Sequence, residues 1–229
     1  MNINGVPHHH DKYGFLKQSD TLPFDYSAEY KARQGTTVAM AYLRMAVTAQ
    51  VTGICPADEP KVLEVGPGSG AMLNELAKVY GVPSPSAADN ATCNVFGHDI
   101  GELADDVSKG LMLSDDAIKG QSWDILFACD VIEHFPDIDH LWDFDFAYAY
   151  LSFPCPPDRF TVFPPEKTPW HHFKPNEHIY YLERRRVLTW IAENGYEAVY
   201  WGNPEDLIRR PKRHLSRAHN ISSVIIKKK

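Results

Sequence analysis

Three glycines at alternate positions, Gly66, Gly68 and Gly70, follow a short apolar run in "KVLEVGPGSGAML". A glycine turn between a strand and a helix lets backbone approach a ligand closely and aims free helix N–H groups at it. The G-x-G-x-G spacing is not the G-x-G-x-x-G of a dinucleotide turn, and no lysine follows to make a P-loop. Glu64 stands two residues before the first glycine. Its carboxylate would repel a pyrophosphate and attract an ammonium or sulfonium, so the turn is expected to face positive charge. A second group of residues suits proton transfer. Glu133 and His134 follow the apolar run "WDILFACDVI", and His171, His172 and His178 lie in "TPWHHFKPNEHIYYL". A histidine with a pKa near neutrality can take a proton from a hydroxyl or an ammonium. His178 is the first choice for a base or an acceptor hydrogen bond, and His171 the second. The alternative for Glu133 and His134 is structural, a loop held by side-chain hydrogen bonds. His171, His172, Glu177 and His178 match no recognised ligand spacing, so no metal is expected.

The elements that must position these groups read as a one-domain α/β chain. "KVLEV", "CNVFGHDI", "WDILFACDVI" and "FAYAYLSFP" read as strands. "SGAMLNELAKVYG", "GELADDVSKG" and "LERRRVLTWIAENG" read as helices, with Gly81, Gly110 and Gly195 as stops and Val187, Leu188 and Ile191 facing inward. "YEAVYWG" and "ISSVIIKK" close the chain as two strands with no clear helix between them. Strands alternating with helices predict a Rossmann-like, doubly wound, mostly parallel sheet with an antiparallel C-terminal edge hairpin. Residues 1–26 are broken by Pro7, Gly14 and Pro23 and read as an extended arm with an exposed His8–His10 run. Ser27 is the expected N-cap of a helix from Ala28 to Ala49, with Val38, Tyr42, Met45 and Ala49 on its apolar face. The expected division is 1–52, an arm and helix covering the site, and 53–229, the main domain with a lid loop at 155–181.

In this order the motifs resemble those of the class I S-adenosylmethionine-dependent methyltransferases, small-molecule branch (methyltransferase type 11/12/23-like). "LEVGPGSG" is similar to that family's E/D-x-G-x-G-x-G motif. "VFGHDI" is similar to its second-strand motif, "DVIEH" to its D-x-x-E-H segment, and "NEHIYYLERRRVLTWIAENGYEAV" to its late helix and sixth strand. The resemblance covers most of the chain. It implies S-adenosyl-L-methionine as cofactor, with S-adenosyl-L-homocysteine as product. Glu64, Gly66, Pro67, Gly68, Gly70, Asp99, Ile100 and Asp130 would bind it, Asp99 through the ribose hydroxyls. Asp115, with Asp116 beside it, is the candidate for the adenine amino group. "FDYSAEYKARQG" is similar to an arm over the cofactor, where Tyr26, Tyr30 and Arg33 could meet the methionine carboxylate. Two departures stand out. The loop "GVPSPSAADNATC" carries Asp99 further from the glycines than the usual ~20 residues. The segment after "VIEHF" also lacks the family's long helix.

Methyl transfer from a sulfonium is an in-line displacement, so the protein must position the nucleophile, exclude water and, where needed, take a proton. The expected reaction is transfer to an O or N nucleophile of a small-molecule acceptor, with Glu133, His134, His171 and His178 near the chemistry. Trp170, Phe173, Tyr180 and Tyr181 would wall the acceptor. The basic run "LIRRPKRHLSRAH", with Arg209, Arg210, Lys212, Arg213 and Arg217, suits an anionic acceptor. A nucleic-acid methyltransferase using that run, or a non-catalytic S-adenosylmethionine-binding protein, remains the alternative. Cys155 follows a strand, but the patterns of cytosine-5 and adenine-N6 enzymes are absent, so it reads as a buried small residue. The 229 residues are 44% hydrophobic with a formal charge of −7, which gives no global basic signature. Four cysteines without C-x-x-C spacing, no secretory leader and no long apolar run predict a cytoplasmic protein with no membrane segment. Oligomeric state is left open.

Overall fold

The computed structural model describes residues 2–3, 6–20, 27–83, 94–99, 112–156, 170, 172–174, 177–209 and 221–229, with backbone alone for 2 and 27–36. The main sheet has six strands in the order β5-β4-β6-β7-β10-β9. They are β4 (Val62–Val65), β5 (Val95–His98), β6 (Ser122–Cys129), β7 (Asp145–Pro154), β9 (Tyr196–Gly202) and β10 (Ile221–Lys228). β5, β4, β6 and β7 pair in parallel, and β10 runs antiparallel between β7 and β9. The C-terminal antiparallel pair is therefore at the edge, as the sequence predicts, with the last strand on its inner side.

Side-chain alternation along the strands sorts the core into two layers. Leu63, Val65, Leu126, Ala128, Ala149, Leu151, Val224 and Ile226 pack with Val187, Trp190 and Ile191 of α4 (Arg184–Glu193). On the other face Val62, Ile125, Phe127, Tyr150 and Ile225 pack with α1 (Ser27–Thr52) and α2 (Ala71–Tyr80), through Ala41, Met45, Met72, Leu73, Leu76 and Tyr80. A sheet with apolar residues on both faces needs a helical layer on each, the doubly wound arrangement. In α4 the stripe is 187, 190 and 191, and Leu188, expected inside, is 37% exposed because it lies one residue off that stripe.

Two other expectations are corrected. The apolar face of α1 is not centred on Tyr42, which is 48% exposed and donates its hydroxyl to Glu75 Oε2 at 2.6 Å. The buried stripe is Met40, Ala41, Arg44, Met45 and Thr48, so two polar residues sit in it. The N-terminal residues are also not an extended arm. β1 (Asn2–Ile3), β2 (Val6–His10) and β3 (Leu16–Gln18) join β8 (Tyr180–Tyr181) in a second sheet of order β1-β2-β3-β8. Its core is Ile3, Leu16, Trp170 and Tyr181, with Phe173 against it. His8 is buried there at 1% exposure, against the rings of Phe173 and Tyr181, which also meet each other. The loop "PSPSAADNA" beyond Pro83 and the expected helix "GELADDVSKG" lie outside the described residues. The segment after β6 holds two 3₁₀ turns, Ile132–His134 and Ile138–Asp143, in place of a long helix.

Arg44 is the polar residue that fixes α1 to the sheet. Its Nε and Nη2 donate to the two carboxylate oxygens of Glu205 at 2.8 and 2.9 Å. Arg209, in α5 (Asp206–Arg209), donates to Glu205 Oε2 at 3.0 Å and pairs with Asp130 at the end of β6. The Tyr150 hydroxyl lies 3.2 Å from Glu205 Oε1 and 2.8 Å from Ser223 Oγ. Two guanidiniums thus face two carboxylates, Arg44 and Glu205 being almost wholly buried at 3% and 0% exposure. Arg209 consequently does not belong to a solvent-facing basic run. Burial opposes the charged form of Glu205, but Arg44 and Arg209 outweigh it and hold the carboxyl down at about 2.

Removing one partner of such a group leaves buried charge uncompensated, at a cost of about 3–5 kcal/mol. Glu205→Gln is expected to lose roughly that amount at pH 7, read as a fall in the urea midpoint. A carboxyl held below its unfolded value stabilises the fold above that value, and the contribution fades as pH falls through the interval from 4.5 to about 2. The wild type should therefore lose more stability than Glu205→Gln across that window; equal losses would show that the pairing is not the source.

Candidate functional site

The site lies beyond the carboxyl ends of β4, β5 and β6, where open α/β sheets hold their ligands. Gly66, Gly68 and Gly70 all take positive φ, at 69°, 54° and 70°. At Gly66 an added Cβ would meet Val131 Cγ2 at 2.4 Å and Val131 Cβ at 2.9 Å, so both backbone conformation and space exclude a side chain. The Gly66 N–H donates to the His98 carbonyl at 2.8 Å, which locks the turn to the end of β5. Pro67 accepts from the Gly70 N–H at 2.8 Å, and Gly70 caps α2. Asp99 follows β5, with its Oδ2 3.4 Å from the Gly68 N–H. Asp115 opens the one-turn α3 (Asp115–Ile118) and sits 3.5 Å from His98 Nε2, with Asp116 exposed beside it. Asp99 thus reaches the glycine turn, and Asp115 reaches His98 at the end of the neighbouring strand.

Glu64 alternates onto the α1/α2 side of β4 and is 4% exposed. Its Oε2 has no hydrogen-bond partner among the described residues. Desolvation pushes its carboxyl up to about 8, with the Arg44 charge opposing and Asp99 adding to the rise. A buried acid in this state favours a cationic neighbour.

Asp130 lies at the mouth of the site with φ 56°, a left-handed conformation that costs a non-glycine residue about 1–3 kcal/mol and clusters at functional sites. Its N–H donates to the Ser152 carbonyl at 2.8 Å, and its carboxylate pairs with Arg209. Glu133 is 1% exposed, and neither carboxylate oxygen has a hydrogen-bond partner among the described residues. Burial, reinforced by Asp130, drives its carboxyl far above the usual range.

The structure brings His178 to Glu133 and His134 across 44 positions of sequence (178 − 134 = 44). The two imidazole centroids are 5.1 Å apart. His134 Nδ1 lies 2.5 Å from the Glu177 carbonyl, and His178 Nδ1 2.9 Å from the His172 carbonyl. The Ile179 N–H donates to the Glu133 carbonyl at 2.9 Å, while the Ile179 carbonyl accepts from Gln18 N–H at 2.8 Å. The N-terminal sheet therefore braces the segment that carries His178. Burial lowers the His134 pKa, and burial together with the nearby His134 lowers His178 to about 3. This corrects the expectation of a histidine poised near neutrality: His178 is a weak base in this surrounding.

Trp170, Phe173 and Tyr181 pack on Ile3 and Leu16, and Tyr180 meets Phe15 edge-on. These aromatics thus pin the segment to the N-terminal strands. His171 and Ile100 lie outside the described residues, as do Tyr26, Arg210, Lys212, Arg213 and Arg217. Tyr30 and Arg33 fall within α1, in the part described as backbone alone. Cys155 is partly buried rather than enclosed, and Cys55, Cys129 and Cys155 are free thiols. Arg44 and Glu205 were not singled out from the sequence. The available signal was an arginine in the same helical stripe as Ala41, Met45 and Thr48.

No family model and no curated protein matches the sequence. Solved structures do match. The chain is similar to the YcgJ protein from Bacillus subtilis, with a TM-score of 0.54, 14% identity, and 82% of this chain and 99% of that chain covered. It is similar to an S-adenosylmethionine-dependent methyltransferase from Mesorhizobium loti, with a TM-score of 0.51, 14% identity, and coverage of 74% and 91%. A third similarity is to a Haloferax volcanii protein solved with the Trm112 methyltransferase activator, at a TM-score of 0.51, 12% identity, and coverage of 87% and 97%. At these identities the likeness is one of architecture. Among the described residues no helix is long and apolar enough to cross a membrane. The strand order, the reversed β10 and the glycine turn after β4, taken with these likenesses, give the chain the class I, Rossmann-like methyltransferase fold.

Proposed function

We propose that the protein is an S-adenosylmethionine-dependent methyltransferase acting on an O or N nucleophile of a small-molecule acceptor. The observation that carries this reading is Glu64, a buried acid with an unpartnered oxygen beside a turn of three left-handed glycines. That combination fits a ligand bearing a cation and disfavours a pyrophosphate. In this reading Gly66 and Gly68 admit the ligand to the backbone, Asp99 and Asp115 would take its ribose and adenine, and α1 with the Arg44 network covers that face. S-adenosylmethionine supplies an activated methyl group. The protein's task is then to align the acceptor and keep water away. Asp130, Glu133, His134 and His178 line the acceptor side. The burial of Arg209 supports a small-molecule acceptor, since that guanidinium neutralises Asp130 and Glu205 instead of facing a phosphate backbone. Free thiols fit a cytoplasmic setting.

Calorimetric titration should show micromolar binding of S-adenosylhomocysteine and none of NAD. The reverse preference, or no binding of either, removes the reading. Glu64→Gln should weaken S-adenosylmethionine about tenfold or more, ~1.4 kcal/mol. Because the Glu64 carboxyl titrates at about 8 before the ligand arrives, a cation that needs it charged must expel its proton below that pH. Affinity should thus rise with pH and level off near 8, and at pH 7 the wild type should release more protons than Glu64→Gln, measured in buffers of different ionisation enthalpy.

Gly66→Ala should cost about 1–3 kcal/mol of stability and abolish S-adenosylhomocysteine binding. Adding Val131→Ala should recover part of the steric loss, because the contact at 2.4 Å goes while Val131 Cβ stays at 2.9 Å, and none of the part due to φ. Full recovery would show that the left-handed backbone is not needed.

A further inference from the structure

We propose that Glu133, His134 and His178 form a binding site for a divalent first-row transition cation, with open positions for an oxygen of the methyl acceptor. One ligand atom from each of these residues lies within 4.8 Å of the others. His134 Nε2 is 3.8 Å from Glu133 Oε1. Two donors ~2.1 Å from a shared tetrahedral ion are about 3.4 Å apart, so the His134–Glu133 pair needs an adjustment of a few tenths of an ångström and the widest separation one of at most about 1.4 Å.

The surroundings argue for this more strongly than the distance does. A carbonyl only accepts hydrogen bonds, so the Glu177 and His172 carbonyls fix the proton on Nδ1 of His134 and His178. In both rings Nε2 then carries the lone pair. Main-chain oxygens that set ring orientation and tautomer in this way are the usual outer partners of metal-ligating histidines. Glu133 adds a carboxylate that is 1% exposed and has no hydrogen-bond partner among the described residues. A buried carboxylate with no donor to satisfy it calls for a cation. Ile179 holds the two halves in register, with its N–H on the Glu133 carbonyl and its own carbonyl on Gln18.

Two imidazoles and one carboxylate form a three-ligand set that leaves coordination positions open, unlike a closed structural site. The His134 side chain is 20% exposed and provides the accessible side. The cation's part in transfer rests on the methyltransferase reading, whereas the binding site does not. An acceptor hydroxyl held there would lose its proton to solvent more readily, as metal-bound water does. Its oxygen would then bond to the methyl carbon as the carbon–sulfur bond breaks, with that electron pair passing to sulfur. No histidine need act as base, which agrees with their environment.

The test is titration of the chelator-treated full-length protein with Co²⁺, followed by its visible absorption, and with Zn²⁺ by calorimetry. One ion per chain is expected. Its affinity should fall in His134→Ala, His178→Ala and Glu133→Gln by more than the ~10–100-fold typical of losing an outer partner. Replacing the exposed His9 and His10 by Ala should leave it unchanged. Binding that follows His9 and His10, or no stoichiometric binding, overturns the site. Should the site variants fail to fold, X-ray absorption of the zinc-loaded wild type decides: two imidazoles among the ligands are expected, and none or one overturns the proposal. S-adenosylhomocysteine binding measured on the same preparation separates the two readings. A cation without that ligand removes the methyltransferase reading alone, and that ligand without a cation removes the metal site alone.

Discussion

The buried pairing of Arg44 with Glu205 is the constraint on which the rest of the architecture depends. It joins α1, which precedes the first strand of the main sheet, to the connection between the last two strands. Arg209 extends it to Asp130, so the same charges reach the residue that turns the chain into the site. Desolvating four charged groups is worthwhile only if their remaining donors and acceptors are met, and Tyr150, Ser152 and Ser223 contribute to that. An apolar stripe on α1 would cover the sheet equally well, but it would not set the helix at one height along it. A bidentate guanidinium–carboxylate pair does so, because its geometry is directional.

That constraint also orders the electrostatics. Arg44 stands near both Glu205 and Glu64, yet it is engaged geometrically by Glu205. Glu64 is left buried with only the charge of Arg44 to compensate it, and Glu133 with only that of Arg209. The two acids lie on the two sides of the mouth of the site, one beside the glycine turn and one beside the histidines. The positive charge the fold supplies is thus spent between α1, α5 and the strand ends. The deficit appears at the two places where ligands are proposed to enter.

Much of the main sheet was legible in the sequence because its central strands are short, mostly apolar runs buried on both faces, as in "VLEV" and "ILFAC". The glycine turn was legible too, since positive φ at three alternate residues leaves few other choices. The α1 register was not. Arg44 and Thr48 are buried there, and a periodicity count treats them as surface residues. The N-terminal strands were hidden for a different reason: they are two to five residues long, rich in histidine, and find their last partner in β8. His134 and His178 could each be picked out as chemically able, but their meeting with Glu133 depends on that same distant pairing. Local sequence cannot report a contact made by a segment it does not contain.

The pairing of Leu16 with Tyr181 spans 165 positions (181 − 16 = 165). Closing so long a loop carries an entropy cost that local contacts do not offset, and non-local strand pairs form slowly. On the ribosome the hairpin of β2 and β3 emerges early and must wait for nearly the whole domain before its partner strand exists. The small sheet cannot close until Tyr181 has been synthesised, whereas the strands up to β7 can already pair by then. The bracing of the His178 segment by Gln18 is in this sense a late event in the life of the chain.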